Sequence, residues 1–332
     1  VTLVGRQPLA DAMNEGGLRL LAPEDAPKPS ITVRDIRVTT SIASAAEHGP
    51  YDLAIFTVKT FDTDDAVAEM LAADLGHPTI LSLQNGVRSE GVLAKAFGAE
   101  RIIAGAELNP ISKPDAGMVL LEKSRGGIGL APVAPDGQVE KWVRLFDEAV
   151  LPTRAYADYQ ALKWSKLLLN LIGNASAAIL DMSTTEVYAD TDLSRLEIDM
   201  LREAIAVMGS AGLKPVTLPG YPVPLLAWSV RWAPTAMLKP ILRKLVAGGR
   251  GEKPPSLLYE LQRGRRHSEV NDLNGAVVRG GEAHDLPTPI NRTLTEILVR
   301  LVQGRIQWAS IRRQPDVLLA VATEMRRKAS QA

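Results

Sequence analysis

Lys166, Asn170 and Asn174 follow one another at intervals of four residues. At 3.6 residues per turn this spacing sets them on one face of a helix. Their neighbours are Leu167, Leu168, Leu169, Leu171 and Ile172, so the helix is apolar nearly all round and is expected to be buried. Polar groups on such a helix need partners. Desolvation disfavours the charged form of a lysine there and is expected to lower its pKa. That makes Lys166 a candidate general acid near neutral pH. Two carboxamides on the same face can hold a carboxylate or a hydroxyl. The plainer alternative is a structural polar seam against a neighbouring domain.

A second set of candidates follows the apolar runs. Gly5 and Arg6 follow Val1–Val4, Lys59 follows Leu53–Val58, and Gln84, Asn85 and Gly86 follow Thr79–Leu83. In an open parallel α/β sheet, ligands sit beyond the carboxyl ends of the strands. A cation and a carboxamide at such ends suit an anionic, hydrogen-bonding ligand. Taken singly, each residue has an ordinary explanation, because a strand must end in something polar and Asn-Gly is a common turn. Three such ends in register favour the functional reading. Arg6 says more. An Asp or Glu after the second strand of a dinucleotide-binding fold takes a ribose 2′-hydroxyl, whereas an Arg nearby accommodates a 2′-phosphate. If Val1–Val4 is that strand, the cofactor is NADP.

The glycine fingerprint of such folds is absent. Gly126, Gly127 and Gly129 lead into Leu130, Ala131 and Pro132, not into a helix, and are expected to be strand and turn glycines. With Val1–Val4 as second strand, about 25 residues of strand, glycine loop and helix are expected to precede it. Without them the pyrophosphate has no helix N-terminus to sit on.

Around these residues, strands are expected at Leu53–Val58, Thr79–Leu83 and Ile102–Ala106, with helices over Asp64–Leu75 and Ser89–Phe97. Continuous apolar strands with helical crossovers imply a parallel sheet covered on both faces. Met118–Leu121 and Gly127–Leu130 read as later, antiparallel additions. Beyond Tyr159 helices are expected over Ala161–Leu180, Leu193–Ala211, Ser256–Arg279 and Asn291–Leu301. The fold class is therefore α/β: a Rossmann-type doubly wound parallel sheet, its first strand and glycine loop missing, over residues 1–155, then an all-helical domain over 156–330.

Composition removes several other classes. Lys plus Arg and Asp plus Glu number 38 each among 332 residues, so the basic excess of a nucleic-acid binder is missing. The chain has no cysteine, which removes disulfides and thiolate chemistry. His48, His77, His267 and His284 form no metal-ligand pair at helical spacing, so no metal is expected. No apolar run reaches the roughly 18 residues of a membrane span. A cytoplasmic protein that binds a small molecule is expected, with no nucleic-acid or membrane partner. Arg263, Arg265, Arg266 and His267 form a basic cluster that reads first as a solvated face and second as an attractor of anions.

With these motifs in hand, the chain resembles the ketopantoate reductase family. The matching stretches are Val4-Gly5-Arg6, Thr57-Val58-Lys59, Gln84-Asn85-Gly86, and Lys163-Trp164-Ser165-Lys166 with Asn170 and Asn174. Further along come Ser256 to Glu260, Arg265 to Glu269, Asn274-Gly275 and Pro287 to Asn291. The resemblance implies NADPH-dependent reduction of a 2-keto acid, 2-dehydropantoate to pantoate in pantothenate biosynthesis, and is compatible with a homodimer. It implies that Lys166 protonates the ketone oxygen as hydride arrives, and that Glu269 positions the substrate hydroxyl or the lysine. Asn170, Asn174 and Ser256 would hold substrate, and Arg6 and Lys59 the adenosine end of the cofactor. Asn85 would lie near both the nicotinamide ribose and the substrate. Two departures bear on the substrate. The stretch between Gly212 and Ser256 is long for the family and carries Trp228 and Trp232. The interval from Ser256 to Glu269 is one residue longer than the common pattern. The alternatives are a reductase of another 2-keto acid and a non-catalytic relative that binds a nucleotide.

Overall fold

Val, Ile and Leu in unbroken runs can be buried on both sides of a sheet, and over Thr79–Ser82 and Ile102–Glu107 they are. The computed structural model describes residues 1–23, 29–123, 126–249, 255–264 and 266–331, with backbone alone over 244–249. The chain divides into an α/β unit of Val1–Gln84, Ser89–Tyr159 and Pro219–Tyr221, and a helical unit of Asn85–Arg88, Gln160–Leu218 and Pro222–Ala332.

The strands of the α/β unit are β1 (Thr2–Val4), β2 (Leu18–Leu21), β3 (Ile31–Val33), β4 (Arg37–Thr39), β5 (Leu53–Phe56), β6 (Thr79–Ser82), β7 (Ile102–Glu107), β8 (Ile111–Ser112), β9 (Met118–Leu121), β10 (Ile128–Pro132) and β11 (Thr153–Ala155). The largest sheet runs β11-β10-β7-β6-β5. In it β5, β6 and β7 are parallel, and β10 lies antiparallel on β7. Adjacent residues of one strand point to opposite faces, and both faces of β6 and β7 are covered, while Ile55 of β5 is exposed. Phe56, Ile80 and Ile102 pack under Val67, Met70 and Leu93 of the helices Thr63–Ala72 and Ser89–Phe97. Leu81 and Ile103 pack with Ile128, Leu130, Val139 and Trp142 on the other side.

The Rossmann-type class holds, with the strands of the described residues shared among three sheets. Among the described residues β1 pairs in parallel with β4 alone, Thr2 opposite Arg37 and Val4 opposite Thr39. A third sheet has the order β3-β2-β9-β8. Of the two later strands expected as antiparallel additions, β10 is one. β9 lies outside the main sheet, parallel to β2 and antiparallel to β8. Gly126 and Gly127, at φ 140° and 149°, lead into β10 as expected. A side chain on Gly127 would meet the Pro152 carbonyl at 2.3 Å, so the pair serves close strand packing.

In the helical unit, Thr191–Ser210 is capped by Asp190, whose carboxylate accepts from the N–H groups of Asp192 and Leu193, as an N-cap aspartate does. Two expected helices are each divided. Ala161–Leu180 becomes Tyr159–Leu171 and Ala175–Leu180, separated by Gly173 in the left-handed region at φ 55°. Ser256–Arg279 becomes Ser256–Gln262 and Asn274–Ala283. Gly264 at φ 63° ends the first of these, and a 3-10 turn, Glu269–Asn271, precedes the second. Arg265 of the basic cluster lies outside the described residues, and Arg263, Arg266 and His267 are exposed.

Candidate active site

In the helical unit the polar residues singled out in the sequence meet through hydrogen bonds. Asn170 donates from Nδ2 to Asn85 Oδ1 at 3.0 Å. Asn174 donates from Nδ2 to the Asn170 carbonyl at 3.1 Å and to Ser256 Oγ at 3.3 Å. Its Oδ1 accepts from the Leu257 N–H at 3.3 Å, one of the N–H groups that a helix start leaves without an intrahelical partner. Asn85, Asn170, Asn174 and Ser256 thus form one chain of neutral donors and acceptors. Their burial grades from Asn174, which is buried, through half-buried Asn85 and Asn170 to exposed Ser256.

Asn85 is placed by its neighbour. Gly86 has φ 79°, and a Cβ there would meet the Asp272 carbonyl at 2.7 Å. Only glycine fits this close approach at little cost, so the Asn-Gly pair is more than a generic turn. Asp272 in turn follows Glu269 by three residues, and its N–H bonds the Glu269 carbonyl at 2.9 Å.

Glu269 is 3 % exposed. Its backbone N–H and the Ser268 hydroxyl both donate to Glu260 Oε2 at 3.0 Å. Glu260 is itself buried and so fixes the approach of the chain to Glu269. The sequence reading gave Glu260 no role.

Lys166 shares the least covered stripe of its helix with Leu169 and Asn170, and all three are half-buried. Burial nearly all round was expected. The lysine at 2 % exposure is Lys163, one helical turn earlier and in a different angular phase. Lys166 is therefore half open and not fully desolvated.

The α/β unit places its candidates differently. Gln84 is buried and donates from Nε2 to the Val58 carbonyl at 2.8 Å and to Thr63 Oγ1 at 2.9 Å. It therefore ties the end of β6 to the segment that carries Lys59. Lys59 is half-buried before the 3-10 turn Thr60–Asp62. Arg6 is exposed at the N-cap of the helix Gln7–Gly16, whose first turn has no acidic residue. An anion is favoured at such a position. Arg6 and Lys59 each follow a strand, but the strands belong to different sheets.

Asn274 and Asn291, in motifs that carried the family resemblance, are structural in this fold. Both are buried, and Asn274 Nδ2 donates to Asn291 Oδ1 at 3.0 Å. Asn291 donates to the Met200 carbonyl and to Glu203. Glu203 also accepts from the N–H groups of Ile290 and Asn291 at the start of the helix Pro289–Val302. Burial pushes its pKa up to about 7 against these bonds and the nearby Arg326, which lower it.

A parallel α/β sheet followed by a helical unit with an amide-rich polar cluster is an architecture suited to a dinucleotide-dependent oxidoreductase. Residues 1–133 match the family model described as Ketopantoate reductase PanE/ApbA, and residues 158–302 match its C-terminal counterpart. The chain belongs to the ketopantoate reductase family of oxidoreductases. It is 28 % identical over 309 residues to a 2-dehydropantoate 2-reductase of Halobacterium salinarum, covering 91 % of each chain. A 2-dehydropantoate 2-reductase of Pyrococcus horikoshii is 25 % identical over 88 % of this chain and 86 % of its own. Among solved structures, a PanE/ApbA family ketopantoate reductase from Ralstonia eutropha superposes with a TM-score of 0.74 at 26 % identity, covering 92 % of this chain and 91 % of that one. A D-mandelate dehydrogenase solved with NADH and anilino(oxo)acetate has the same fold, with a TM-score of 0.72 at 18 % identity over 92 % and 91 % of the two chains. Among the described residues no helix is long and apolar enough to cross a membrane.

Proposed function

We propose that this protein reduces a 2-keto acid, 2-dehydropantoate foremost, with NADPH as the reductant and Lys166 as the proton donor. The observation that carries the reading is the hydrogen-bonded chain Asn85–Asn170–Asn174–Ser256, which lies one helical turn from Lys166. The 2-dehydropantoate 2-reductase relatives support the substrate class.

The cofactor, when bound, supplies the hydride. The residues present fit its 2′-phosphate end: Arg6 is an exposed cation at a helix N-terminus, and Lys59 is a second cation at a strand end. Among the described residues no glycine-rich turn leads from a strand into a helix to take the pyrophosphate. Asn170, Asn174 and Ser256 orient the keto acid through its carboxylate and hydroxyl groups. As the ketone carbon is reduced, negative charge develops on its oxygen. The Lys166 ammonium donates a proton to that oxygen, giving the 2-hydroxy acid and a neutral amine that solvent reprotonates. Because the charge is largest in the transition state, a cation placed there accelerates the step. Glu269 holds the substrate hydroxyl or the lysine in line.

A second reading keeps the chemistry and changes the acid. Trp228 and Trp232 of the long segment before Ser256 are 61 % and 64 % exposed, and under this reading that segment alters the choice of acid. The assay follows loss of nicotinamide absorbance with NADPH or NADH against a panel of 2-keto acids. Turnover favouring NADPH and 2-dehydropantoate supports the first reading. Turnover with other 2-keto acids alone supports the second. No cofactor binding at all would leave a non-catalytic relative. The reading carries with it a cytoplasmic setting and a small-molecule partner.

A further inference from the structure

Gly173 interrupts a buried apolar helix between the two carboxamides of the candidate site. In a continuous helix its N–H would bond the carbonyl four residues earlier. Here Gly173 stands at φ 55° and the helix ends two residues before it. The N–H donates instead to Glu197 Oε2 at 2.7 Å, and the Gly173 carbonyl accepts from Thr184 Oγ1 at 3.1 Å. A Cβ at position 173 would meet Thr184 Cγ2 at 2.0 Å. Two side chains from outside the helix thus take over both backbone groups freed by the break.

Glu197 is fully buried, in the helix Thr191–Ser210. Besides Gly173 it accepts from Ser176 Oγ at 2.5 Å and from Tyr188 Oη at 3.1 Å, and both donors are fully buried. A buried carboxyl group is costly unless hydrogen bonds satisfy its oxygens, and here Gly173, Ser176 and Tyr188 supply them. A fold that needed only a filled core at this point would be served by an apolar residue. A carboxylate that grips the residue before Asn174 and the second residue after it does something an apolar residue cannot: it fixes the direction in which the chain leaves the break. Asn170 stands three residues before Gly173, in the last turn of its helix, and Asn174 one residue after it.

We infer that Glu197 is a positioning residue for the carboxamide cluster of Asn170 and Asn174. The inference rests on the proposed function for its substrate, while its structural half stands apart from catalysis. Glu197 touches neither substrate nor cofactor. It acts through Gly173 and Ser176, setting the backbone from which Asn174 reaches Ser256 and Leu257.

The variant Glu197→Gln keeps the shape and removes one acceptor oxygen. It is expected to raise KM for the 2-keto acid by about tenfold to a hundredfold, with NADPH affinity unchanged and kcat lowered less. Glu197→Asp, which keeps both oxygens, recovers part of the loss. If Glu197→Gln does not fold, Ser176→Ala and Tyr188→Phe each remove one donor and are expected to move the same KM in the same direction. A crystal structure of a variant reads out the geometry without any turnover, and Asn174 is expected to lose its bonds to Ser256 and Leu257. Asn174 retaining both bonds, or a lower Tm with KM for the keto acid unmoved, overturns the inference. A wild-type protein that turns over no 2-keto acid defeats the proposed function instead, and the Asn174 geometry still decides the role of Glu197.

Discussion

In the helical unit Asn85, Asn170, Asn174 and Ser256 are tied to one another, and behind them stand buried carboxylates, Glu197 and Glu260, that hold the backbone. In the α/β unit Arg6 and Lys59 stand where strands end, and the buried amide of Gln84 fixes the turn beside Lys59. One region orders its side chains before any ligand arrives. The other presents cations at chain positions set by the sheets. The difference fits what each would bind. A small keto acid must be held to within fractions of an ångström for proton transfer, whereas a phosphate is attracted by charge over a longer range.

Substitutions in the ordered frame should therefore cost stability and orientation together. The largest effect is expected for Gly173→Ala, which adds a side chain against Thr184 at a left-handed position. Unfolding by denaturant should show a loss of roughly 2–4 kcal/mol. A loss below about 0.5 kcal/mol would mean that the break is not held in place.

Glu203 sharpens the contrast through pH. Its pKa in the folded protein is raised from 4.5 to about 7, so folding favours the protonated carboxyl. The contribution is full below 4.5, declines as pH rises, and is gone above about 7, amounting to no more than about 3 kcal/mol. Between pH 5 and 8, thermal melts of Glu203→Gln should show a flatter profile than wild type. Parallel profiles would contradict the assignment.

The smallest effect on the fold is expected at the cofactor end. Arg6→Ala should leave Tm unchanged, since surface substitutions stay within about 0.5 kcal/mol, while KM for NADPH rises by up to roughly tenfold, equivalent to about 1.4 kcal/mol. The discrimination between NADPH and NADH should shrink by the same factor. A large stability loss would erase the distinction between the two regions.

Much of this was legible in the residues themselves. The runs at Thr79 and Ile102 gave β6 and β7 because both faces are buried, and the run at Leu53 gave β5 although Ile55 is 48 % exposed. The four-residue spacing gave Asn170 and Asn174 a common cluster. The division of the strands among three sheets was not legible, because β1 and β4, or β2 and β9, find each other across long intervals. Nor was the helix break. A glycine inside an apolar run is compatible with a continuous helix, and what decides against it is a carboxylate 24 residues away. A signal for that carboxylate did exist. Glu197 falls at a core phase, four residues from both Leu193 and Leu201, where a charge needs a buried partner. The exchange of Lys166 for Lys163 as the buried lysine has the same origin: the phase of a helix against its neighbours is set by packing that no single helix contains.

The most direct test of the account is single-turnover reduction of 2-dehydropantoate with saturating NADPH by wild type and Lys166→Ala. The account predicts that the chemical step slows by about 10²–10⁴-fold while the Kd for NADPH and the Tm stay within error of wild type. A Lys166→Ala enzyme that transfers hydride at the wild-type rate would contradict it.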